Sequence, residues 1–105
     1  MLNKKLISEI KRRLLSKFEI EKIILFGSQA RGTANDKSDV DLLVITNSSR
    51  NRLKLIDKID ASLEGLKLAR DIIVLSGKEF DSDKSIPGTI ACYAFLEGKL
   101  LYEKG

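Results

Sequence analysis

Apolar positions along this chain follow two periods, and the change from one to the other marks out its elements. Leu2, Leu6, Ile7, Ile10, Leu14 and Phe18 recur at three- to four-residue spacing, which predicts a helix with one buried stripe, capped by Asn3 and running to about Lys17. Ile20 to Phe26 is short, rich in isoleucine and closed by Gly27, the pattern of a strand. Asp39 to Ile45 reads as a second strand and Arg70 to Ser76 as a third. Between these two, Ser49 or Asn51 can start a helix that carries Leu53, Ile56, Ile59 and Leu63 toward the core, with Gly65 as its end signal. Gly77 to Ser85 is polar and predicts a short helix or a loop. Ile86 to Leu96 returns to helical spacing, with Pro87 tolerated in its first turn and Gly98 just past its end. Leu100 to Tyr102 closes the chain as a short strand.

The order helix, strand, strand, helix, strand, helix, strand predicts an α/β (α+β) fold, a mixed β-sheet backed by helices. The loop between the first two strands can close them as neighbours, and the helix between the second and third permits a parallel crossover. No internal repeat, low-complexity tract or linker interrupts the pattern, so residues 1–105 read as one domain.

Composition narrows this picture. With 43% hydrophobic and 32% charged residues and a single proline, the chain is globular in character, and 105 residues suffice for one core without staples. The lone Cys92 cannot form an intrachain disulfide, and no leader pattern opens the sequence, so a cytoplasmic location is expected. Apolar runs such as Val40 to Ile45 fall far short of the roughly 20 residues that span a bilayer, so no membrane role is expected. The formal charge of +4 raises the question of nucleic acid. Lys4, Lys5, Lys11, Arg12 and Arg13 are concentrated in the first helix, but most lie opposite its apolar stripe, as on any solvated helix face, and no aromatic residues interleave them. A nucleic-acid footprint therefore rests on composition alone.

The absence of histidine excludes Ser–His hydrolysis and most zinc chemistry. It also leaves Cys92 without a base, so this residue reads as a small buried thiol beside Ala91 and Ala94. Phe26, Tyr93 and Phe95 read as core, and Tyr102 as a residue of the closing strand.

Three aspartates stand where strands ordinarily carry apolar residues. Asp39 and Asp41 open the second strand and Asp71 opens the third. Residues two apart on a strand share a face, so Asp39 and Asp41 would present carboxylates side by side, with Cα atoms roughly 7 Å apart. Asp is common at turns and strand ends, the ordinary reading of a single aspartate but not of the three together. It does not account for Asp41, which Leu42, Leu43, Val44 and Ile45 place inside the strand pattern. A pair of like charges held this way calls for a compensating cation, and a divalent ion that prefers oxygen ligands fits. Asp71, if its strand lies beside the second, adds a third ligand or a base. Phe26-Gly27-Ser28-Gln29-Ala30-Arg31-Gly32 ends a strand at glycine and serine, and such a junction aims backbone N–H groups at an anion such as phosphate. A phosphate cradle beside a carboxylate pair is the arrangement that phosphoryl and nucleotidyl transfer need.

Gly27-Ser28, ten intervening residues, and Asp39-Val40-Asp41 together resemble the signature of the DNA polymerase β nucleotidyltransferase superfamily. Gly27-Ser-Gln-Ala-Arg-Gly32 and Ser38-Asp-Val-Asp-Leu-Leu-Val44 are similar in particular to the minimal nucleotidyltransferase family, small proteins often paired with a HEPN-domain partner. The resemblance extends more softly to Asp71-Ile-Ile-Val-Leu75 and to the segment from Tyr93 to Glu103. It implies a polymerase β-like fold in which Asp39 and Asp41 hold two magnesium ions and Asp71 completes the site as metal ligand or base. Gly27 and Ser28 would hold the triphosphate of ATP, and Arg31 would either reach the phosphates or brace the loop against an aspartate. Larger members of the superfamily carry a further acceptor-binding domain that this chain is expected to lack. The resemblance therefore implies an antitoxin that transfers AMP to a tyrosine of a HEPN toxin. A module that binds nucleotide without turnover and neutralises its partner by stoichiometric contact is the alternative. Homo- and hetero-oligomers are both open, as is the base preference.

Overall fold

A computed structural model describes residues 3–27, 40–47 and 51–105. Helix α1 spans Lys4–Lys17 and is capped by Asn3, whose Oδ1 accepts a hydrogen bond from the Leu6 N–H at 2.9 Å. Strand β1 is Lys22–Phe26 and strand β2 is Val40–Ile45. Helix α2, Arg52–Ser62, starts at Asn51, whose side chain accepts from the Lys54 N–H at 3.2 Å. Strand β3 is Arg70–Leu75, helix α3 is Gly77–Asp83, helix α4 is Ile90–Glu97 and strand β4 is Lys99–Glu103. The segment from Gly77 is thus a helix, fixed by a capping box in which Ser76 Oγ accepts from the Glu79 N–H and Glu79 Oε1 accepts from the Ser76 N–H.

The four strands form one mixed sheet in the order β3-β2-β1-β4. β1 pairs antiparallel with β2 and with β4, and β2 pairs parallel with β3 across the α2 crossover. Apart from Asp41, central strand β2 is apolar on both faces, as expected of a strand covered on both sides. Val40, Leu42 and Val44 join Ile10 and Leu14 of α1 and Leu55, Ile59 and Leu63 on or just past α2 in one core cluster. Leu43 and Ile45 point the other way and join Ile24, Phe26, Phe80 of α3, and Ala91 and Ala94 of α4. The sheet is therefore backed by α1 and α2 on one face and by α3 and α4 on the other. No helix among the described residues is long and apolar enough to cross a membrane.

Three expectations from the sequence require correction. The last helix begins after Thr89, whose Oγ1 accepts from the Cys92 N–H at 3.1 Å, so Ile86, Pro87 and Gly88 form a turn before it rather than its first turn. On α2, Leu53 is 74% exposed and Leu55 takes its place in the core, which shifts the buried stripe to Leu55, Ile59 and Ser62. Phe95 is 55% exposed, because α4 lies on the sheet through its small residues Ala91 and Ala94, and the bulky ring faces away. Phe26, Tyr93 and Cys92 do lie in or against the core.

Candidate active site

The site is built where β2 and β3 begin and β1 ends. The Val40 N–H donates to the Ala69 carbonyl at 2.8 Å, which aligns the two strand entrances and sets Asp41 opposite Asp71. Registered residues on adjacent strands point to the same face and lie about 4.8 Å apart in the pairing direction, so the two carboxylates are neighbours. Phe26, the last residue of β1, is the register partner of Asp41 on its other side. One row across the sheet thus reads Phe26, Asp41, Asp71, and it continues the face that α3 and α4 cover further along. Asp41 is half-buried and Asp71, on the edge strand, is exposed.

Two features hold this row in place. Arg70 precedes Asp71 and, by strand alternation, faces the other way. Its Nε donates to Asp60 Oδ1 at 2.7 Å and its Nη2 to the Asp60 carbonyl at 2.9 Å, which ties the start of β3 to the last turns of α2. Gly27 is the second. It has φ of 77°, a left-handed conformation, and a Cβ there would stand 3.2 Å from Asp41 Cγ and closer still to Oδ2. Only glycine allows the backbone this close to the Asp41 carboxylate without strain.

Of the residues singled out in the sequence, Gly27, Asp41 and Asp71 are therefore brought together. Asp39, Ser28 and Arg31 lie outside the described residues. Among the described residues no group of three or more His, Cys, Asp or Glu could hold a metal. The pair that is described consists of hard carboxylate oxygens beside backbone, a donor type that suits magnesium rather than a soft metal. No pattern in the sequence assigns Arg70 a role or takes Tyr93 beyond the core. The ring of Tyr93, on α4, packs edge-on against Phe26, with centroids 5.9 Å apart and planes at 72°. Neither link carries a local signal, since each joins residues from separate elements.

A cavity of about 530 Å³ opens at the opposite end of β2, lined by Phe18, Glu19, Thr46 and Asn47 among others. It lies roughly 16 Å along the strand from Asp41. Its Thr46 hydroxyl donates to the Glu19 carbonyl at 2.5 Å, and Asn47 Oδ1 accepts from the Gly77 N–H at 3.1 Å. These polar groups knit the fold together, and the cavity contains none of the predicted site residues.

Comparison with known proteins places this geometry in context. The profile of a family described as "Nucleotidyltransferase domain" matches residues 7–90. A Methanocaldococcus jannaschii protein described as a "putative protein adenylyltransferase" is 42% identical over 76 residues, which cover 70% of this chain and 45% of that protein. The chain spans about half the length of the first relatives it matches, at 45% and 47%. Among solved structures, one of a toxin–antitoxin with AMP-PNP matches with a TM-score of 0.62 at 23% identity, covering 93% of this chain and 73% of the other. Another, of a tri-AMPylated Shewanella oneidensis HEPN toxin in complex with an MNT antitoxin, matches with a TM-score of 0.55 at 21% identity over 93% and 70%. At these identities the solved structures establish a shared fold.

Proposed function

Because the chain belongs to the nucleotidyltransferase domain family, we propose that it is a magnesium-dependent adenylyltransferase that moves AMP from ATP onto a partner protein. The observation that carries this reading is the register pairing of Asp41 with Asp71 beside the left-handed Gly27. Asp39 and Asp41 hold the magnesium ions, and Asp71 is the third carboxylate, as ligand or as proton acceptor. Gly27 and Ser28 seat the triphosphate, and Arg31 reaches the phosphates or braces the loop. When bound, magnesium supplies positive charge that offsets the triphosphate and the clustered carboxylates. In the transfer, an acceptor hydroxyl oxygen bonds to the α-phosphorus of ATP, the bond to the β-phosphate bridge breaks, and pyrophosphate leaves. The hydroxyl proton passes to Asp71 or to water.

The acceptor in this reading is a tyrosine of a HEPN-domain toxin, and the chain is the antitoxin of the pair, acting as one domain in the cytoplasm. The toxin–antitoxin complexes among its structural neighbours, one with AMP-PNP and one with a tri-AMPylated toxin, support this assignment. The test mixes the purified chain with a HEPN-domain partner, ATP and magnesium and measures the intact mass of the partner. Adenylate added by the wild type and not by an Asp39→Asn, Asp41→Asn double mutant is the expected result. If the mutant neutralises the toxin as well as the wild type does, with no mass gain, the chain acts by stoichiometric binding instead.

A further inference from the structure

The active-site row includes a neighbour from the far end of the chain. Tyr93 lies on α4, 52 residues after Asp41 in sequence, yet its half-buried ring meets Phe26 edge-on at 5.9 Å. Phe26 is 8% exposed, is the register partner of Asp41, and is followed directly by Gly27, whose backbone lies against the Asp41 carboxylate. Loss of the packing around the Phe26 ring leaves the end of β1 freer to shift, and with it the Gly27 backbone beside the Asp41 carboxylate. We infer that Tyr93 is a positioning residue for the carboxylate site: through Phe26 it fixes the Phe26–Gly27 strand end against Asp41, and so sets how tightly the site takes a magnesium–nucleotide complex. This rests on the adenylyltransferase reading above.

The same helix supplies a matched control. Phe95 makes an edge-on contact of the same kind with Phe80 of α3, with centroids 6.3 Å apart and planes at 69°. Phe80 shares a core cluster with Phe26, but its ring lies 5.5 Å from Nζ of Lys22, the first residue of β1, whereas Phe26 is the last. Both contacts hold α4 to the fold, and only one leads to Asp41.

The experiment is equilibrium dialysis of ATP over a range of magnesium concentrations, with thermal melts of each variant. Tyr93→Ala is expected to raise the magnesium concentration for half-maximal ATP binding about three- to tenfold, the range that an edge-on aromatic pair carries. Tyr93→Phe keeps the ring and restores the midpoint to within about twofold of wild type. Phe95→Ala lowers the melting temperature as Tyr93→Ala does, yet leaves the magnesium midpoint in place. If Tyr93→Ala does not fold, Tyr93→Leu is measured under the same expectations. The inference is overturned if folded Tyr93→Ala, or Tyr93→Leu in its place, keeps the wild-type midpoint, or if Phe95→Ala shifts it equally, which would make the effect a general loosening of α4. A wild type that binds no ATP at any magnesium concentration gives a distinct result, which removes the adenylyltransferase reading and this inference together.

Discussion

Asp41 and Asp71 are register partners on adjacent parallel strands, so the sheet itself holds two carboxylates side by side. Like charges directly opposite one another on a sheet are destabilising by up to about 1 kcal/mol, and a bound cation reverses the sign. Asp71→Asn is therefore expected to leave the metal-free protein as stable as wild type or slightly more so. The same substitution should remove most of the rise in melting temperature that magnesium with ATP gives the wild type. Paired thermal melts with and without magnesium and ATP check both halves.

Gly27→Ala tests the close approach of backbone to carboxylate. Alanine at a φ of 77° carries left-handed strain, and its Cβ overlaps Asp41 Oδ2. The conformational part alone costs about 1–2 kcal/mol. Urea denaturation should show at least that loss, and nucleotide binding should fall further than stability does, because Asp41 must swing away to make room.

Arg70→Met addresses the anchor of β3. The Arg70 side chain is 12% exposed, and its guanidinium holds both the Asp60 carboxylate and the Asp60 carbonyl. Asp60 is half exposed, so solvent weakens the ionic part, and the loss is expected at about 1–2 kcal/mol, mostly from the buried hydrogen bonds. Chemical denaturation at neutral pH measures it. Because the anchor sets the position of Asp71, magnesium-dependent ATP binding should weaken as well.

Among the described residues, Glu9 and Glu79 contribute to the acid limb of stability. Hydrogen bonds from Arg12, then Arg13, lower the Glu9 pKa from 4.5 to about 2. The Ser76 N–H, then Arg52, lower that of Glu79. A carboxylate whose pKa is lower in the folded state stabilises the fold above its unfolded value and loses that contribution as pH falls. Both contributions are thus present at neutral pH and are lost progressively below about pH 4.5. The difference in denaturation midpoint between wild type and Glu79→Gln, or Glu9→Gln, is expected at pH 7 and should shrink as the pH approaches 2.

Much of this was legible in the sequence, and the physical reasons differ between elements. The strands show as short apolar runs, and Asp41 stood out because its neighbours are all apolar. The helix between β2 and β3 permits a parallel crossover, and the structure shows the two strands paired in parallel. The face of α2 was harder to assign, because Leu53 and Leu55 both fit a helical period when the direction of the core is unknown. The start of α4 carried a signal that apolar spacing obscured: Pro87-Gly88 is a turn dipeptide, and Thr89 behind it is a good cap. The roles of Tyr93 and Arg70 depend on contacts between elements far apart along the chain, and no local pattern encodes them.

The most direct measurement of the central claim is calorimetric titration of ATP into the purified chain, with and without magnesium, repeated on Asp41→Asn and Asp71→Asn. Binding is expected to require magnesium and to fall at least tenfold in each folded variant, as the loss of a charged ligand worth about 1.4 kcal/mol or more would give. Binding of equal strength without magnesium, or in both variants, would contradict that claim.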